Sequence, residues 1–258
     1  MSNALIGYSG FVGSTLLRQR SFDHLYRSTN IAEIRKSRFD LLICAGAPAQ
    51  KWIANRDPQG DAANISALIE DLDRTACKRF VLISTVDVFE DPLGVDEHTS
   101  PDERRLQPYG MNRLRLERFV EKRFPEALVI RLPGLVGPGL RKNVIYDLLN
   151  DNNVDAIDSR GIFQFYPMVN LWKDIEVGLD AGLRLLHLTA APISVAEVAR
   201  EGFGRDFGQA VVTSPAEYDL RSRYASLFGV TGPYQYSKRE TLLAVRAYVQ
   251  SEPRKRAS

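Results

Sequence analysis

"NALIGYSGFVGSTLL", residues 3 to 17, is the stretch on which the reading of the fold turns. Ala4-Leu5-Ile6 is a short apolar run of strand character. It leads into a loop with glycines at Gly7, Gly10 and Gly13, and apolar side chains then recur at helical spacing from Phe11 onward. Strand, glycine turn and helix in that order form the unit that cradles a dinucleotide. Residues without a Cβ let the backbone approach a pyrophosphate, and the N–H groups of the helix start supply partial positive charge. The spacing is GxxGxxG rather than GxGxxG, and a plain tight turn would read the same in isolation, so the rest of the chain has to decide.

The segments that follow alternate. "HLYRS" (24–28), "FDLLICAGA" (39–47), "RFVLISTVDVF" (79–89) and "ALVIRLPGLVG" (127–137) are apolar runs of strand length, continuous enough to be covered on both faces. Between them, "FVGSTLLRQR" (11–20), "DAANISALIEDLDRTA" (61–76) and "YGMNRLRLERFVEKRF" (109–124) have helical periodicity. Repeated βαβ units imply an α/β, Rossmann-type doubly wound parallel sheet. The texture changes near residue 139. "LRKNVIYDLLNDNN" (140–153) reads as helix, and "FQFYPMVNLWKDI" (163–175) mixes aromatics with short strands. "HLTAAPISVAEVARE" (187–201) and "SKRETLLAVRAYVQ" (237–250) each contain a helix whose first turn has capping-box spacing, Ser194 with Glu197 and Ser237 with Glu240. The expected organisation is a dinucleotide-binding core over 1–139 and a small C-terminal substrate-binding region over 140–258, with elements returning to the core.

Composition is that of an ordinary globular chain of 258 residues: 44% hydrophobic, 26% charged and 9% aromatic. A net charge of +2 gives no long-range case for a nucleic-acid partner. The basic end "PRKRAS" (253–258) reads as a solvated, frayed terminus. Cys44 and Cys77 form no CxxC or Cys/His cluster, so neither a disulfide framework nor a metal is expected, and Cys44 reads as a small core residue. No apolar run approaches the ~18 residues of a membrane span, and no basic stretch leads into a long apolar segment near the first residue. A cytoplasmic location is the expectation.

Two further stretches bear chemistry. After the second strand the chain reads Tyr26-Arg27-Ser28-Thr29. A carboxylate there would take the adenosine ribose hydroxyls of NAD. Its absence, with Arg27 and Ser28 suited to a 2′-phosphate, favours NADP, unless Arg27 is a plain surface arginine. "ISTVDVF" ends a buried strand, and Tyr109 lies 24 positions after Thr85, with Arg113 four residues further on and so on the same helix face. A tyrosine beside a cation can exchange a proton with an alcohol or carbonyl, and Thr85 could hold the same oxygen. Alternation in a strand would turn Asp87 to the Thr85 side, towards a substrate, while a capping role is the other reading. Arg141 and Lys142 either meet a diphosphate or are surface charge. Phe163, Phe165, Tyr166 and Trp172 either stack a base or pack the core, and core is the safer reading. His98 reads as exposed, and His24 and His187 as structural.

These residues together resemble the extended short-chain dehydrogenase/reductase superfamily, over residues 3 to 250. Its GxxGxxG is matched at Gly7, Gly10 and Gly13, its Ser/Thr three residues before a "VF" pair at Thr85, and its YxxxK tyrosine at Tyr109. Among its branches "STVDVFED" looks most like the "STDYVF" of dTDP-4-dehydrorhamnose reductases. The resemblance implies that Ser9, Phe11 and Val12 of the loop, Cys44, Ala45, Gly46 and Ala47, Ser84, and Leu132 and Pro133 of "RLPGLVGPG" line the cofactor along with Tyr109 and Arg113. It implies hydride transfer at a carbon of a sugar, in the first instance a nucleotide-linked one, with Tyr109 as acid/base, Thr85 holding the oxygen, and Asp87 and Arg141 towards the substrate. It also implies the option of a homodimer through the helix from Tyr109 to Arg123, whose Leu114, Leu116 and Phe119 fit a dimer face or a core face equally. Two departures stand out. Arg113 replaces the family lysine, keeping the charge but losing the compact ammonium and the ability to relay a proton. Val86 replaces an acid, while Asp87 falls where dehydratases carry a glutamate base. The arginine makes a non-catalytic NAD(P)-binding sensor or scaffold the alternative to an enzyme.

Overall fold

The computed structural model describes residues 2–254, so Lys255 to Ser258 of the basic terminus lie outside the described residues. The chain divides into two compact units interleaved in sequence. Among the described residues the first takes 2–90, 99–132 and 171–186, and the second takes 91–98, 133–170 and 187–254.

The first unit is a six-stranded sheet of β1 (Asn3–Ile6), β2 (His24–Tyr26), β3 (Arg38–Cys44), β4 (Ala76–Thr85), β5 (Leu128–Leu132) and β6 (Leu185–His187). Their spatial order is β2-β1-β3-β4-β5-β6, and β1 through β5 pair in parallel. Helices α1 (Phe11–Gln19), α2 (Lys51–Arg56), α3 (Pro58–Asp73), α4 (Pro108–Arg123) and α5 (Leu171–Asp180) cover it. This is the Rossmann-type doubly wound arrangement that the alternating pattern implies.

Side chains alternate along each strand, so the continuous apolar runs serve two faces at once. Ala4, Ile6, Leu42, Cys44, Leu82 and Val129 pack with Ile65, Leu68 and Leu72 of α3 and Leu116 and Val120 of α4. Leu5, Leu41, Ile43, Val81 and Ile130 are equally buried on the alternate register, and Gly178 of α5 lies close against Leu128 and Leu186. Burial pushes the Cys44 thiol up to about 11, which suits an inert core residue. Leu114 and Leu116 are both buried in this unit and Phe119 packs against its core, so the ambiguity of these positions resolves to interior packing within one chain.

The strand reading of "ALVIRLPGLVG" splits at Pro133, which cannot donate to a ladder, into β5 and a separate strand Gly134–Val136. "ISTVDVF" is strand only to Thr85; Val86–Val88 is a 3₁₀ turn.

The second unit contains short two-stranded pairings, among them Gly134–Val136 with Phe165–Pro167 and Leu93–Val95 with Asp219–Leu220. Both expected capping boxes form, at Ser194/Glu197 and Ser237/Glu240. Buried Gln164 ties the unit together: its side-chain N–H groups donate to Thr189 Oγ1 and the carbonyls of Ala190 and Leu220, and its oxygen accepts from Leu220 N–H. Phe165 and Tyr166 are core residues here, and Trp172 is buried in the first unit under Arg20. His187 is buried with Nδ1 at 2.9 Å from the Arg221 carbonyl, and His98 is exposed. Among the described residues no helix is long and apolar enough to cross a membrane.

Candidate active site

The glycine loop lies where chain order reverses across the sheet, between β1 and β3, the place where doubly wound sheets open a crevice at their carboxyl ends. Its shape follows from missing side chains. Gly7 has φ +84° and lies against the Ala45 carbonyl, and a Cβ on Gly13 would sit 2.1 Å from the Gly7 carbonyl oxygen. Gly7 N–H donates to Tyr26 O, and Ala45 N–H donates to Ile6 O. Gly10 caps α1 without a side chain bonding the first turn, and a Cβ there would have only the Gly7 carbonyl oxygen nearby, at 3.4 Å. An uncapped helix start beside an open backbone face fits a pyrophosphate group. Ser9, Gly10, Phe11 and Val12 are exposed or half-buried in this loop, and Ala45, Gly46 and Ala47 are half-buried beside it. Arg27 and Ser28 are exposed just past β2, with Arg27 Nε donating to Thr29 Oγ1 at 3.1 Å.

At the end of β4, Thr85 opens the 3₁₀ turn. Its hydroxyl accepts from Asp87 N–H and donates to Asp87 Oδ2, both at 3.1 Å. Asp87 thus shares a side with Thr85, but through a turn rather than through strand alternation. Helix α4 comes up against this turn at Gly110, where a Cβ would lie 2.0 Å from the Asp87 carbonyl oxygen. That approach sets Tyr109, the neighbouring residue, beside the turn that carries Thr85 and Asp87. Burial pushes the Tyr109 phenol above its ordinary value. Arg113 opposes the rise, Asp87 adds to it, and Lys51 and the Thr85 hydrogen bond oppose it.

Arg113 is 3% exposed and has its guanidinium carbon 3.9 Å from the centroid of the Tyr109 ring. It donates to Asp61, to the Tyr109 carbonyl and to the Pro48 carbonyl, and its Nε is buried without a partner. Asp61 is itself buried and accepts from Asn112 Nδ2 at 2.7 Å. It sits in the first turn of α3, whose N-cap Asp57 accepts from Gly60 N–H and whose Pro58 needs no partner for a missing N–H. Arg113 therefore clamps α4 to α3 and to the chain after β3.

Lys51, Asn55, Asp61 and Gly110 escaped the sequence reading. Lys51 Nζ is 2.6 Å from Asp87 Oδ1, and Asn55 Oδ1 accepts from Tyr109 N–H at the otherwise uncapped start of α4. The available signal was their spacing: four apart on α2, they share a face. Of the other residues singled out, Ser84 donates to Glu117, which is buried in a pair with Arg131. Leu132 ends β5 in the interior, Pro133 is buried, and Arg141 is an exposed residue of the second unit.

The sequence matches no protein-family model and no curated protein. Solved structures do share the fold over nearly the whole chain. A dTDP-4-dehydrorhamnose reductase from Yersinia enterocolitica is 17% identical with a TM-score of 0.72, over 97% of this chain and 99% of its own. The protein RMD from Pseudomonas aeruginosa, complexed with NADPH, is 18% identical with a TM-score of 0.73, over 97% and 98%. A double mutant of a dTDP-glucose 4,6-dehydratase from Streptomyces venezuelae, with NAD bound, is 14% identical with a TM-score of 0.73, over 98% of each chain. At these identities the likeness is one of fold.

Proposed function

We propose that the chain is an NAD(P)-dependent oxidoreductase or epimerase of the extended short-chain dehydrogenase/reductase type, acting on a sugar, in the first instance a nucleotide-linked one. The observation that carries this reading is the pairing, in one unit, of a glycine loop with open backbone at the end of β1 and the buried Tyr109 at the start of α4, packed against the turn that Thr85 opens at the end of β4. The fold shared with the NADPH and NAD complexes supports it.

In this reading the first turn of α1 and Gly10 bind the pyrophosphate, and Ala45, Gly46 and Ala47 border the dinucleotide. Arg27 and Ser28 take a 2′-phosphate, which favours NADP. The bound nicotinamide supplies or accepts hydride. Tyr109 carries the proton for the substrate oxygen, Thr85 fixes that oxygen, and a phenol raised by burial is protonated at neutral pH, as a proton donor for reduction must be. Asp87 and Arg141 are the substrate-side candidates. The clamp formed by Arg113 is also the observation that favours the second reading, a cofactor-binding sensor or scaffold without turnover.

Titration with NADPH and NADH, followed by nicotinamide fluorescence, tests the first half. NADPH should bind at least tenfold more tightly, about 1.4 kcal/mol. Binding of neither by the folded chain removes both readings. Turnover of a nucleotide-sugar by the parent but not by Tyr109→Phe then separates enzyme from sensor.

A further inference from the structure

The lysine that the YxxxK pattern would place at 113 is replaced by an arginine whose two terminal nitrogens are held by Asp61 and by the Tyr109 and Pro48 carbonyls. The acid/base corner nevertheless contains a lysine, from a different helix. Helix α2 presents one face to the corner: Asn55 takes the Tyr109 N–H, and Lys51, one turn earlier, reaches Asp87. The intervening Trp52 and Ile53 point outward, at 67% and 39% exposure. Asp87 in turn bonds Thr85, and the turn that carries both packs against Gly110, next to Tyr109. Lys51 is half-exposed, so its ammonium meets water, whereas Arg113 is sealed in.

We propose that Lys51 is the cationic positioning residue of the acid/base corner, acting on Tyr109 through Asp87 and Thr85, and that Arg113 is a structural clamp. The assignment rests on the reading of Tyr109 as the proton-carrying group, and it names a lysine that the motif does not contain. Lys51 fixes the Asp87 carboxylate so that the Thr85 hydroxyl is held towards the turn. Its charge offsets an anion that would otherwise oppose ionisation of Tyr109. The charged groups facing the phenol are Lys51 from α2, Asp87 from the turn after β4, and Arg113 from α4 itself, the last neutralised by Asp61 from α3. Of these, Lys51 and Asp87 alone lie partly open to water.

The test needs neither cofactor nor substrate. Tyrosine ring-carbon labels in the full chain, with the Tyr109 signal assigned by its loss in Tyr109→Phe, give the phenol midpoint by NMR titration. Removing a cation near an ionising phenol raises its midpoint, so Lys51→Met should shift Tyr109 upward by about one unit. Lys51→Arg should return it to the parent value, because the charge is restored. Asp87→Asn should shift it downward, since an anion is removed, and the Lys51→Met/Asp87→Asn pair should fall between the two single variants. A Lys51→Met midpoint equal to or below the parent's overturns the assignment, as does a rise that Lys51→Arg leaves in place. Cofactor fluorescence on the same samples keeps the two claims apart. Dinucleotide binding with an unmoved Tyr109 midpoint sinks the role of Lys51 alone. A shifted midpoint without dinucleotide binding sinks the enzyme reading and leaves the electrostatic coupling as a fact.

Discussion

Gly7 to Gly13 and the groups around Tyr109 lie in the same unit, yet they are built in opposite ways. The loop is seven consecutive residues, and its shape comes from the side chains that its three glycines lack. The Tyr109 corner is assembled from side chains on α2, on the turn after β4, on α3 and on α4, drawn from residues 51 to 113. A backbone site of the first kind tolerates no added atoms where the chain passes close, as at Gly7 and Gly13. A side-chain site of the second kind can move a charge from one helix to another, provided the geometry around the reacting oxygen survives. That difference explains how a chain can keep the glycine spacing and lose the motif lysine.

The comparison breaks most sharply at Gly13. A valine there would put Cβ 2.1 Å from the Gly7 carbonyl oxygen, so the start of α1 has to leave the loop. Dinucleotide binding should weaken at least a hundredfold, about 2.8 kcal/mol, in the fluorescence titration. Gly10→Ala sharpens the point, because Cβ there meets only the Gly7 carbonyl oxygen at 3.4 Å. It should leave thermal stability unchanged while still weakening the cofactor complex, since in the proposed reading Gly10 meets the pyrophosphate. If both variants bind NADPH as the parent does, the loop is a turn and nothing more.

At Arg113 the prediction reverses between sequence and structure. Read along the chain, Arg113→Lys restores the family pattern and should raise turnover. In the fold, Arg113 and Asp61 are a buried pair, 3% and 4% exposed at their side chains. Removing one partner of such a pair leaves an uncompensated charge and costs about 3–5 kcal/mol, so Arg113→Met should lose that much in urea unfolding. A single ammonium cannot serve Asp61, the Tyr109 carbonyl and the Pro48 carbonyl together, so Arg113→Lys should lie between Met and the parent. A lysine variant as stable as the parent, with faster turnover, would return the role to position 113 and break the division between clamp and cation.

These cases mark what the sequence could carry. The glycine loop, the buried strands and both capping boxes are encoded over a few adjacent residues, where period and spacing are the physics. Arg113 was visible as a substitution, but its partner Asp61 lies 52 positions away and its burial depends on how α3 meets α4. Lys51 was missed for the same reason: the spacing of Lys51 and Asn55 in "KWIANR" puts them on one face, but what that face meets is fixed only once α2 is docked beside Tyr109. The turn at Val86–Val88 was missed because "VDVF" continues the apolar pattern of β4, whereas the Thr85 hydroxyl captures Asp87 N–H and ends the strand.

The smallest expected effect lies at Gly110, and it probes the seam between α4 and that turn. Alanine is favoured over glycine inside a helix by up to about 1 kcal/mol, so propensity alone predicts a gain. Against it stands a Cβ 2.0 Å from the Asp87 carbonyl oxygen, a backbone atom that cannot step aside as a side-chain tip would. Overpacking of this kind costs about 1–3 kcal/mol, so Gly110→Ala should be destabilised on balance in urea unfolding. The sign of the accompanying pKa change identifies the cause. Burial is the largest influence holding the Tyr109 phenol above its ordinary value. A helix pushed back from the turn lets water reach that oxygen, so the NMR midpoint of Tyr109 should move down towards an ordinary tyrosine. A midpoint that stays put in a destabilised Gly110→Ala would mean that the seam supports the helix without setting the environment of the phenol. The positioning of Tyr109 would then rest on side-chain contacts such as those of Asn55 and Arg113 rather than on the seam.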